Sequence, residues 1–74
     1  MWKVMQDWKQ GNIQWAIGHG DDDLHDIAQY LTDSILPGYL PSFTIVWDDG
    51  TEMSLEDYCK ANDIQKRNFE ERMN

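Results

Sequence analysis

Apolar and polar positions recur along this chain with two different periods, and the change of period divides it into elements. From residue 22 to residue 36, Leu24, Ile27, Ala28, Leu31 and Ile35 return at intervals of three and four. That is the period of an amphipathic helix. At 100° per residue these side chains share one side. Asp22, Asp26, Gln29 and Asp33 fall on the opposite side, within about 60° of one another. Asp21 is the expected N-cap, and Asp22 and Asp23 suit the positive end of the helix dipole. Pro37-Gly38 stops the helix, and residues 37–41 read as a rigid, partly apolar loop.

The period then shortens to two. Phe43, Ile45 and Trp47 alternate with Thr44 and Val46, which predicts a strand over 42–47. Asp49-Gly50 predicts a two-residue hairpin turn, with 51–53 as the return strand. Ser54 with Asp57 three residues on resembles a capping box and opens a helix over 55–61. Asn62-Asp63 breaks it. Phe69 and Met73, four apart, predict a last helix over 65–73. In the first twenty residues, Trp2, Met5 and Trp8 or Lys9 allow a short helix ending at Gly11. Ile13, Trp15 and Ile17 alternate and predict a strand paired with 43–47, followed by a Gly18-His19-Gly20 loop. The expected fold is α+β: one small domain over 1–74 with a central amphipathic helix, a short antiparallel hairpin or sheet around 43–53, and a C-terminal helix pair.

Composition narrows the class. A chain of 74 residues buries only roughly 60% of its extended-chain surface, so its core is small. An apolar content of 41%, with four Trp, three Tyr and two Phe, is too high for a disordered chain. Trp2, Trp8, Trp15 and Trp47 cannot all be fully buried in so small a domain, and an exposed Trp beside acid is the chemistry of a protein interface. Cys59 is alone, which fits a reducing cytoplasm. No apolar run approaches the roughly 18 residues of a membrane span, and Gln6 and Asp7 stand where a secretory segment needs apolar residues.

Charge adds the strongest functional hint. Residues 1–53 hold nine acidic side chains against Lys3 and Lys9, whereas 54–74 are almost balanced by Lys60, Lys66, Arg67 and Arg72. The net charge is −8, which opposes phosphate backbones and favours a basic surface on a partner. Asp22, Asp26 and Asp33 form a row in which i, i+4 carboxylates sit about 6 Å apart, comparable to phosphates along a strand. Asp48, Asp49 and Glu52 extend it. In size, charge and lack of a catalytic motif the chain resembles small acidic phage-encoded inhibitors, the nucleic-acid mimics that include anti-CRISPR and anti-restriction proteins. The resemblance implies a protein partner with a basic surface, a nuclease or other nucleic-acid-binding enzyme, in the host cytoplasm. It implies no cofactor, no metal, and no direct contact with nucleic acid or membrane. The competing explanation is a solvated helix face.

Residues 54–73 resemble a helix-turn-helix. Tyr58-Cys59 match its apolar-small pair, Asp63-Ile64 its turn, and Phe69 its buried second-helix residue. That resemblance implies DNA contacts by Gln65, Lys66, Arg67 and Arg72, with Glu70 and Glu71 facing the groove as well. The family's turn glycine is here Asp63. The competing explanation is an ordinary helical hairpin. His19 and His25 among Asp21, Asp22, Asp23 and Asp26 have the donors for zinc or manganese, but their order matches no metal motif. Cys59 has no neighbouring His and reads as a small buried helix residue. The sequence points to a binding protein and not to an enzyme.

Overall fold

A computed structural model describes residues 1–9 and 11–67. Among these residues the fold is α+β: a four-stranded antiparallel sheet with two helices on one face. The strands are β1 (Trp2–Trp8), β2 (Gly11–Gly18), β3 (Phe43–Trp47) and β4 (Glu52–Ser54), in the order β2-β1-β3-β4. The helices are α1 (Asp21–Ser34) and α2 (Leu55–Ala61), and Pro37–Ser42 forms a 3-10 turn.

The N-terminal segment corrects the sequence reading. Residues 2–8 form a strand, not a helix, and β1 lies at the centre of the sheet. It separates β2 from β3, so Ile13–Ile17 pair with β1 and not with 43–47. Trp2, Val4 and Gln6 are buried against the helices while Lys3 and Asp7 face solvent. That alternation has period two, and the polar Gln6 at a core position disguises it. A bulge between Val4 and Met5 leaves Trp15 without a Cα partner. It shifts the alternation of β2, so Ile17 joins Lys3 and Val46 on the open face of the sheet.

α1 begins one residue earlier and ends two residues earlier than expected. Gly20, at φ 80°, is the N-cap in place of Asp21, and Ile35 turns extended ahead of Pro37. Its apolar stripe is as read: Leu24, Ala28 and Leu31 are buried, with Ile27 and Ile35 packed at the margin. They meet Trp2, Val4, Phe43 and Ile45 from the sheet, and Leu55, Tyr58, Cys59 and Ile64 complete the core. The β3–β4 turn is a three-residue loop. Trp47 N donates to Thr51 O and Gly50 N to Trp47 O, both at 2.9 Å. Among the described residues Asp63 is the one non-glycine with positive φ. Asp49 therefore lacks the positive φ of a two-residue turn, and Gly50, at φ 87°, closes a three-residue one.

α2 has the predicted bounds. Ser54 Oγ accepts from Asp57 N at 3.0 Å, as the capping-box reading requires. Beyond it, Asp63 is left-handed at φ 56° and Ile64 N donates to Cys59 O at 2.8 Å. This is a Schellman-type stop that buries Ile64. The expected last helix does not begin at residue 65. Residues 65–67 are not helical because α1 holds them: Gln29 Nε2 donates to Gln65 O, and Asp33 accepts three bonds from Arg67. Phe69, Glu70, Glu71, Arg72 and Met73 lie outside the described residues.

Candidate functional site

The strand register fixes two poles. At one end of the sheet, Trp2 lies between Gly18 and Trp47. Its indole Nε1 donates to Gly20 O at 2.8 Å, which ties the start of α1 to this end. Asp21, Asp22 and Asp23 therefore stand near the β3–β4 turn with Asp48 and Asp49, and all five are exposed. At the opposite end, β1 and β2 are joined through residues 9 and 10, and the C-terminal end of α1 and the 3-10 turn pack beside them.

That second pole holds an open apolar groove of about 400 Å³, lined by Trp8, Ile13, Trp15, Ile35, Leu36, Tyr39 and Phe43 around Gln6. Trp8 packs against Tyr39 with ring centroids 6.3 Å apart, and Trp15 against Phe43 at 5.6 Å. Gln6 fixes its floor. Trp15 Nε1 donates to Gln6 Oε1 at 2.8 Å, Gln6 Nε2 donates to Ser42 Oγ at 3.2 Å, and Ser42 Oγ donates to Tyr39 O at 2.6 Å. These three bonds link Trp15, Gln6, Ser42 and Tyr39, so the two aromatic walls are held in place while remaining open. Trp8 and Trp15 are 43% and 48% exposed. Contiguous exposure of this kind marks interaction sites on small proteins.

Of the residues read from sequence as a carboxylate row, the structure brings only some together. Asp22 and Asp26 are exposed on one face of α1 and engage no partner among the described residues. Asp33 leaves the row. Its side chain is 8% exposed under Arg67, whose Nη2 lies 2.6 Å from Asp33 Oδ2. The guanidinium hydrogen bonds hold its carboxyl below the usual range, against an opposing push from burial. Asp48 lies 3.2 Å from the N-terminal ammonium. Asp49 accepts from Thr51 N at 2.9 Å, and hydrogen bonding from Thr51 also lowers its carboxyl. Glu52 belongs elsewhere, in a shallow hollow on the open sheet face with Asp7, Asn12 and Val46.

Gln65, Lys66 and Arg67 are exposed along the outer side of α1 rather than on a recognition helix. Cys59 is buried, with Sγ 3.3 Å from Thr32 Oγ1. No three His, Cys, Asp or Glu side chains converge to hold an ion among the described residues, and no helix among them is long and apolar enough to cross a membrane. The groove as a unit is absent from the sequence reading, although the excess of Trp and the apolar 37–41 loop were its signals. Comparison with protein-family models, curated proteins and solved structures gives no match.

Proposed function

We propose that this chain is a small acidic inhibitor or adaptor that binds a basic-surfaced, nucleic-acid-handling enzyme of the kind phage anti-defence proteins block. One observation carries the reading: a preformed aromatic groove stands at one pole of a molecule whose exposed carboxylates lie on α1 and at the other pole. The acidic pole steers association with a basic cleft, and the groove supplies the desolvated anchor that slows release. A helix-turn-helix regulator is the weaker reading, because Arg67, one of its base-contacting positions, is engaged by Asp33.

The test is titration into purified nucleases, including restriction and CRISPR enzymes, with cleavage as the readout. Stoichiometric inhibition of one enzyme is expected. Asp22→Lys/Asp26→Lys should slow association and weaken the salt dependence, and Trp15→Ser should speed release. If an inhibited enzyme responds to neither change, these surfaces do not carry the function.

A further inference from the structure

β2 is an edge strand of eight residues, Gly11–Gly18, with neither a charge nor a proline. Among the described residues its outer row of backbone donors and acceptors has no strand beside it, and Ile13, Trp15 and Ile17 are 43–49% exposed along it. Proteins ordinarily protect such edges with charge, proline or brevity. The other edge of this sheet is protected: β4 has three residues and begins with Glu52. Only the bulge at Trp15 blunts β2. In a chain carrying −8, an uncharged strand of this length is an exception confined to one edge.

Charges flank β2 with opposite sign. Lys9 precedes it, and Asp21, Asp22 and Asp23 follow it across a short link. None of these four forms an ion pair among the described residues. We infer that β2 is the dimer interface of this protein, pairing antiparallel with β2 of a second copy across a twofold axis to make a continuous eight-stranded sheet. Antiparallel pairing sets Lys9 of each copy beside the Asp21–Asp23 turn of the other, twice over. Parallel pairing sets Lys9 against Lys9 and acid against acid. With Gln14 on the axis, Ile13 of one copy faces Trp15 of the other, an aliphatic–aromatic cross-strand pair of the kind that stabilises sheets. The same pairing is isologous, as twofold dimers are. It brings the two apolar grooves to either side of the axis. The inference rests on the edge and its flanking charges and is independent of any inhibitory role.

Sedimentation equilibrium on the full chain tests it. The expected species is twice the 8.7 kDa chain mass at micromolar concentration. Ile17→Lys adds a charge on the open face of the strand, away from the core and the groove, and should give a monomer whose melting matches dilute wild type. Lys9→Glu should weaken the dimer by up to roughly fivefold at low salt and less at high salt. In a Gln14→Cys variant, oxidation should link two chains through position 14 across the axis. A monomeric wild type at millimolar concentration overturns the inference, as does dimerisation that Ile17→Lys leaves intact. Failure here leaves the cleavage titration unaffected.

Discussion

Trp2 leaves no room for a side chain at position 18. A Cβ on Gly18 would meet the Trp2 ring at 2.6 Å, and that ring is locked by its bond to Gly20 O. Gly18→Ala should therefore cost about 1–3 kcal/mol, as overpacking of a rigid neighbour does. That is a large share of the roughly 3–5 kcal/mol available to so small a core. Gly38→Ala, with nothing within 4 Å of its Cβ, is the control. Chemical denaturation of both variants checks this, and equal midpoints would show that Trp2 can move aside. Single residues also decided what the sequence could reveal. Ser54 and Asp57 spelled out their cap because the bond is local. Gln6 concealed β1 because its amide is satisfied by Trp15 and Ser42, nine and thirty-six positions away, and local pattern carries no trace of such partners.

At the scale of elements, the Asp33–Arg67 contact replaces a predicted helix start with a strap across α1. The helix face holding Asp33 was legible, and so were α1, β3 and α2, each written in one uninterrupted period. What lands on that face was not legible, because Asp33 and Arg67 are thirty-four residues apart. The same holds for the sheet order: the alternation in Ile13–Ile17 announced a strand but not its partner. The strap has a pH signature. A carboxylate lowered on folding adds stability above its unfolded value and loses it as pH falls through the folded one. The ordinary value for Asp33 is 3.8. Its contribution is thus complete at pH 7, begins to fall below about pH 4 and is lost as pH drops through the lowered folded value. Asp33→Asn should cost roughly 1 kcal/mol at pH 7, since Arg67 is half exposed and screened, and almost nothing near pH 2. The lowered Asp49 is present in both proteins and cancels in the difference. A penalty equal at both pH values would mean that the ion pair contributes nothing to stability.

The whole molecule separates its charge from its apolar groove, and this arrangement bears directly on nucleic acid. The five Lys and Arg among the described residues do not gather on one surface. Lys3 is on the open sheet face, Lys9 is at the groove pole, Lys60 lies 3.5 Å from Glu56, and Arg67 is bound to Asp33. A regulator that binds a duplex neutralises about six or more phosphates at once, and this distribution offers no such footprint. Pairing through β2 would double the number of bases but set each Lys9 against acid. At physiological salt the protein should therefore show no duplex affinity tighter than about micromolar, the regime of non-specific binding. A titration against a duplex library measures this. Nanomolar, sequence-selective binding that disappears in Lys66→Ala/Arg67→Ala would reverse the assignment. It would require the 65–67 strap to leave α1, so a fall in Asp33-dependent stability on adding the duplex would accompany it.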